Sequence, residues 1–259
     1  MVSTNWLELT SAEISNRAKD IVAVQPIGAI EQHGPHLPVG TDSIIAESVA
    51  NEALARFGEK AIMLPTISVA LSSEHIWAPG TISIGPRTLL SLLDDIGKSL
   101  QRAGITRLVF LNGHGGNSAL LRVACRELRI QYGLLTFLAH PQLPADQGAV
   151  RVDDAEMGFA VHAGRGETSM MLYLKPDLVL LDRASRHVPE WLEGYDHIGF
   201  GKEVTFGWTS RDFGGDGVIG DPTLATPDQG KIAFESAVSR FVEVLAEARR
   251  FTFPDSAPQ

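Results

Sequence analysis

Residues 88–139 read TLLSLLDDIGKSLQRAGITRLVFLNGHGGNSALLRVACRELRIQYGLLTFLA. In their first part, 88–103, apolar side chains recur at Leu89, Leu93, Ile96, Leu100 and Ala103. That is the 3.6-residue period of a helix with one buried face. Gly104 follows as the expected helix stop. Residues 107–111, RLVFL, form an apolar run of strand length, and 117–132 are read as a second helix closed by Gly133. Residues 134–139, LLTFLA, are the next strand. Helix, strand, helix, strand in close succession is the pattern of a parallel sheet clothed by helices.

The same alternation extends toward the N-terminus. Residues 21–30, IVAVQPIGAI, are expected to be a buried strand. Residues 43–57 are expected to form a helix with Asp42 placed like an N-cap. Residues 61–71, AIMLPTISVAL, read as another strand, interrupted by Pro65. Beyond residue 140 the period fades. Residues 141–159 are expected to be a loop or flap, 166–174 a helix ended by Pro176, and 189–222 a glycine-rich loop region. Thr226-Pro227 has the N-cap and first-position pairing that opens a last helix, with Phe234, Val238, Phe241 and Leu245 as its buried stripe. No repeat or linker divides the chain. The expectation is an α/β protein: a three-layer α/β/α sandwich with a mostly parallel sheet, one domain over residues 1–259.

The chain has 259 residues, of which 44% are apolar and 20% charged, ordinary values for a soluble globular protein. Its formal net charge of −9, without a Lys/Arg run, argues against nucleic acid or an anionic membrane surface as partner. The single Cys125 excludes a disulfide framework and any multi-cysteine metal site. No apolar run approaches the ~18–20 residues of a membrane span, and the first residues lack the apolar core of a secretory signal. The expected compartment is the cytoplasm.

In sheets of this kind, ligands bind beyond the carboxyl ends of the strands. Those ends hold an unusual share of metal-binding side chains. The first strand runs into Glu31-Gln32-His33-Gly34-Pro35-His36, and in extended chain Glu31 and His33 share a side while Gln32 faces away. The Gly/Pro-rich loop that follows returns the chain to Asp42. The third strand ends in Asn112-Gly113-His114-Gly115-Gly116-Asn117, and His162 and Glu167 flank the start of a later helix. Glu31, His33, Asp42, His114 and Glu167 form a mixed nitrogen and oxygen set suited to Zn²⁺ or Mn²⁺. Three carboxylates and two imidazoles exceed the needs of one hydrolytic zinc. Two divalent ions per chain, bridged by Asp42, use them all.

Each residue also has a plain structural reading: Asp42 as a cap, Glu167 as a partner of a helix dipole, a strand-end histidine as a packed one. Their coincidence at successive strand ends favours the metal reading. Glu74, His75 and Trp77 follow the second strand and are candidates to line a substrate pocket. His36 reads as a supporting group, Cys125 and His140 as structural, His187 and His197 as exposed or supporting.

Taken together, PIGAIEQHGPHLPVGTDS, SSEHIWAPGTISIG, LVFLNGHGGNSA and HAGRGETSMML resemble the creatininase family, in the family's order, as does GVIGDPTLATPDQG over 217–230. The resemblance implies a creatininase-like sandwich, a dinuclear metal centre and a homo-oligomer, in places a hexamer. It implies that Glu31 and His114 hold one metal, that His33 and Glu167 hold the other, and that Asp42 bridges them. His162 then lies beside the substrate as a proton donor or a group orienting the carbonyl. Gly115 and Gly116 stand where creatinine-hydrolysing members resemble N-G-H-Y-E-N, and residues 141–159 carry no Trp. The Gly-Gly form also resembles the mycofactocin-precursor peptidase branch and a deformylase branch.

The function expected is hydrolysis of a C–N amide bond, in a small cyclic amide, by water activated between two ions. The N–H groups of Gly115-Gly116 are candidate oxyanion donors. The alternatives are a metallopeptidase acting on a short peptide and a ligand-binding protein with a vestigial site. An isomerase using the same centre and nucleotide binding at the Gly-rich turn stand behind these.

Overall fold

The computed structural model describes residues 3–142 and 156–254. Its centre is a four-stranded, all-parallel sheet in the order β2-β1-β3-β4. The strands are β1 (Val22–Ile27), β2 (Ala61–Met63), β3 (Arg107–Asn112) and β4 (Leu135–Ala139). The helices are α1 (Ser11–Arg17), α2 (Thr41–Phe57), α3 (Pro86–Arg102), α4 (Ser118–Tyr132), α5 (Arg165–Leu174) and α6 (Pro227–Arg250). The three-layer α/β/α sandwich expected from the alternation is present.

Side-chain alternation along the central strands explains the layers. Ala23, Ile27, Leu108 and Phe110 pack on one face against Leu89, Leu93 and Leu100 of α3 and Leu121 and Leu128 of α4. Val22, Val24, Val109 and Leu111 pack on the other against Val49 and Leu54 of α2 and Phe234, Val238, Phe241 and Leu245 of α6. With both faces covered, the strands need no polar side, which is why RLVFL reads as an unbroken apolar run. Each large side chain buried this way contributes about 1.5–3 kcal/mol.

Several boundaries differ from expectation for local reasons. The strand expected over 61–71 ends at Met63, because Pro65 offers no N–H to the ladder. Pairing resumes only as a bridge between Ile27 and Ile67, and the amide of Gln25 donates to the Pro65 carbonyl at 2.7 Å. The strand expected over 21–30 leaves the sheet after Ile27, and Ile30 instead bridges Ile82 in antiparallel fashion. Helix α2 begins at Thr41 after Gly40, so Asp42 lies inside its first turn and is not the cap. Helix α3 starts at Pro86, which fits the first position of a helix. Thr226 caps α6 as expected, accepting from Gln229 N–H at 3.3 Å. Of the flap expected over 141–159, residues 143–155 lie outside the described residues. Among the described residues, no helix is long and apolar enough to cross a membrane.

Candidate metal centre

The two central strands set the site. They pair in register from Ala23–Leu108 to Ile27–Asn112, and Gly113 N–H still donates to Ile27 carbonyl at 2.8 Å. Glu31 and His114 therefore leave the sheet side by side. Between them, residues 31–40 fold back on themselves: Glu31 N–H donates to Val39 carbonyl at 2.9 Å and Thr41 N–H to Pro38 carbonyl at 3.2 Å. This loop delivers Asp42 to the β3 edge. Gly113 is needed there, because a Cβ on it would stand 2.4 Å from the Asp42 carbonyl oxygen. His162 comes from a segment that pairs with Ile219, and Glu167 from the first turn of α5. Between them Ala163 holds a left-handed φ of 53°, uncommon for a residue with a side chain. It aims its N–H at Glu167 Oε2, at 2.6 Å.

All five expected ligands converge, and all but Glu167 are almost fully buried. Asp42 splits its carboxylate: Oδ1 lies 3.1 Å from His33 Nε2 and Oδ2 lies 3.2 Å from His114 Nδ1. His114 Nδ1 is also 3.2 Å from Glu31 Oε2. Donor atoms of Glu31, Asp42 and His114 lie within 4.8 Å of one another, as do those of His33, Asp42 and Glu167, and those of Glu31, His33 and His162.

The outer atom of the His33 imidazole is occupied in the way a metal-binding histidine requires. His33 Nδ1–H donates to the Glu31 carbonyl at 3.1 Å, which leaves Nε2 free to ligate. His114 Nε2 lies 3.3 Å from Glu74 Oε1 without an aligned hydrogen bond. The inner atoms have no such satisfaction. Glu31 Oε1 and Oε2 and Asp42 Oδ2 are buried without an aligned hydrogen-bond donor. Buried lone pairs of this kind carry a desolvation cost that calls for a partner. Carboxylate and imidazole atoms converging on common points fit a divalent cation of the Zn²⁺ or Mn²⁺ kind.

The electrostatics agree. Burial pushes the Glu31 carboxyl above its ordinary range, and burial pushes Glu167 up to about 7. Burial works equally against a charged His33, but the Asp42 carboxylate beside it outweighs burial and raises it to about 10. Asp42 itself is held low: burial opposes this, and His33 and His114 overcome it. His162 is pushed well down by burial and by the neighbouring imidazoles.

A cavity of about 420 Å³ opens over the cluster. Glu74, His75, Gly115 and Gly116 line it, as expected from the sequence. Trp77 does not; its indole N–H donates to Ser210 Oγ at 2.9 Å, behind the site. Two features escaped the sequence reading. Gln32 points away from the ligand atoms, yet its amide reaches His75 Nδ1 at 2.9 Å and its carbonyl accepts from His162 Nε2 at 2.6 Å. Phe200, Phe206 and Trp208 form one wall of the cavity. Three large rings within a glycine-rich loop region were the available signal. The remaining histidines take supporting places: His36 meets Thr168 Oγ1 at 3.0 Å, His140 meets Ser118 Oγ at 3.1 Å, and His187 and His197 pair with Asp216 and Glu203.

Comparison with known proteins places this geometry. The family model described as creatinine amidohydrolase matches residues 7–245. The chain belongs to the creatininase family. This creatininase-family chain is 35% identical to the mycofactocin precursor peptide peptidase of Mycolicibacterium smegmatis over 221 residues, 83% of this chain and 80% of that one. It is 31% identical to the creatinine amidohydrolase of Pseudomonas putida over 264 residues, 95% and 96% of the two chains. A manganese form of creatininase superposes with a TM-score of 0.76 at 29% identity, covering 96% of this creatininase-family chain and all of the other. A Zn-Zn form of a creatininase mutant gives the same values.

Proposed function

We propose that this creatininase-family amidohydrolase hydrolyses a C–N amide bond with two divalent ions per chain. Glu31 and His114 would hold one ion and His33 and Glu167 the other, with Asp42 shared between the two groups. The observation that carries this reading is the divided carboxylate of Asp42, one oxygen on His33 and the other on His114. The manganese and Zn-Zn forms of related creatininases support the choice of ion.

Bound ions of this kind supply Lewis acidity and a water that is nucleophilic near neutral pH. The chain's own groups do the rest. His162 Nε2–H is committed to the Gln32 carbonyl, so the neutral ring turns the Nδ1 lone pair inward, 3.5 Å from Glu31 Oε1. In that tautomer His162 first accepts a proton from the attacking water and then returns it to the departing nitrogen. The proton-donor role implied by the resemblance is thus its second task. Gly115 and Gly116 line the cavity, and their N–H groups are the candidates to stabilise the developing oxyanion.

The small cyclic amide expected from the sequence is one substrate class. A second reading, an amide within a short peptide, is favoured by the cavity of about 420 Å³ and by the 35% identity to a peptide peptidase. We read the chain as a cytoplasmic homo-oligomer in either case.

Elemental analysis of the purified protein and of its His33→Ala and Glu167→Ala variants tests the centre. About two ions per chain, falling in both variants, is the expected result. A protein that holds no ion after reconstitution, or that keeps its full activity in His114→Ala, would overturn the reading. Paired assays on cyclic amides and short peptides then separate the two substrate classes.

A further inference from the structure

The aromatic part of the cavity lining is a construction in its own right. Phe200 packs against Phe206 and Trp208 with ring centroids 5.4 and 5.5 Å apart. Phe213 backs Phe200 and Trp208, 5.6 Å from each, and Trp191 stacks behind Phe213 at 6.2 Å with an interplanar angle of 21°. Five rings from a segment without strands or α-helices thus hold one another in place, and three of them face the cavity. Offset and edge-on ring contacts at these separations are favourable geometries that stiffen a surface.

The floor is different. Gly115 and Gly116 present no side chains, and a Cβ on Gly116 would stand 2.0 Å from Glu74 Oε1, so that carboxylate fills the space above it. A ring wall, the Gly115-Gly116 turn with the Glu74 carboxylate over it, and a row of ligand atoms therefore share one cavity, of a volume typical of small-molecule sites. Rings facing water are costly unless something apolar covers them.

We propose that the substrate carries a flat aromatic group that packs on Phe200, Phe206 and Trp208 while its scissile amide lies over the Glu31/Asp42/His114 cluster. This deepens the amidohydrolase reading and rests on it. Phe206 and Trp208 are then specificity-determining residues.

The test uses three carboxylates that resemble the acid half of a hydrolysed amide: phenylacetate, cyclohexylacetate and acetate. Each is titrated into metal-free and metal-loaded protein, with binding heat and tryptophan emission as readouts. Phenylacetate is expected to bind about 2- to 10-fold tighter than cyclohexylacetate, the range of ring–ring preference beyond simple burial. The double variant Phe206→Leu, Trp208→Leu should erase that preference. Trp208→Phe should keep it while losing much of the emission change, a control for a wall that still folds. Equal binding of the two six-membered rings, no binding of any of the three, or a preference that survives the double variant would each overturn the proposal.

Hydrolysis is scored separately, on N-benzoylglycinamide against N-acetylglycinamide. Turnover of both at equal efficiency leaves the amidohydrolase reading standing and removes this inference. Turnover of neither, with the phenylacetate preference intact, does the reverse.

Discussion

The side-chain amide of Gln32 donates to Nδ1 of His75 at 2.9 Å. The amide's orientation is fixed at both ends, since Gly34 N–H donates to its Oε1 at 2.8 Å and its Nε2 donates to the Gly217 carbonyl at 3.3 Å. His75 therefore accepts at Nδ1 and carries its proton on Nε2, which faces Glu31 Oε1 at 3.4 Å. A residue with no ligand atom in the cluster thus sets the tautomer of a ring that stands beside a ligand carboxylate. In Gln32→Glu the new carboxylate would draw the proton to Nδ1 and turn a lone pair on Glu31. Metal affinity in that variant, measured by chelator competition, is expected to fall about 10- to 100-fold, the usual cost of losing a supporting partner. Unchanged affinity would remove Gln32 from this role.

Metal uptake should strengthen with pH. His33 is raised to about 10 because the Asp42 carboxylate outweighs burial, and Glu167 is raised to about 7 by burial. Both groups hold a proton in the metal-free protein at mildly acidic pH, and each must release it before it can ligate. Protons compete with the ion, so apparent affinity should climb from about pH 6 to about pH 9, with proton release on binding. Competition titrations across that span check it; a flat profile would argue that other atoms hold the ion.

Gly230 shows packing overruling propensity. It sits in α6, where alanine is ordinarily favoured by about 1 kcal/mol. Yet a Cβ there would stand 1.8 Å from the Ser169 carbonyl oxygen of α5, a backbone atom that cannot step aside. Gly230→Ala should destabilise by about 2–3 kcal/mol and lower the melting midpoint by roughly 5 °C or more. Calorimetry of the metal-loaded protein decides it; an unchanged or higher midpoint would contradict the α5–α6 contact.

Cys125 should be inert while the chain is folded. Burial pushes its thiol up to about 11, so almost no thiolate exists at neutral pH. A chromogenic disulfide reagent at about pH 8 should react slowly with native protein and fully after denaturation. Rapid labelling of the native protein would place the thiol elsewhere.

Much of this was legible in the sequence because it is local. RLVFL is apolar on both faces of its strand, so the sheet declares itself, and Glu31, His33 and His114 follow directly on such runs. Helix α2 began two residues early because Gly40 and the returning loop, rather than the Asp42 side chain, set its first turn. Gln32 was set aside by the alternation rule, which says where a side chain departs but not how far an amide can reach. The ring wall has no period at all. Phe200, Phe206, Trp208 and Phe213 meet only through tertiary folding, and no spacing rule announces that.

The ring-bearing segment gives no strand to the sheet and no atom to the ligand groups. Selection on what the pocket admits can therefore rewrite those rings without disturbing the ladder between β1 and β3 that spaces Glu31 from His114. What the pocket admits and how its ligand groups are spaced are thus set by separate stretches of chain.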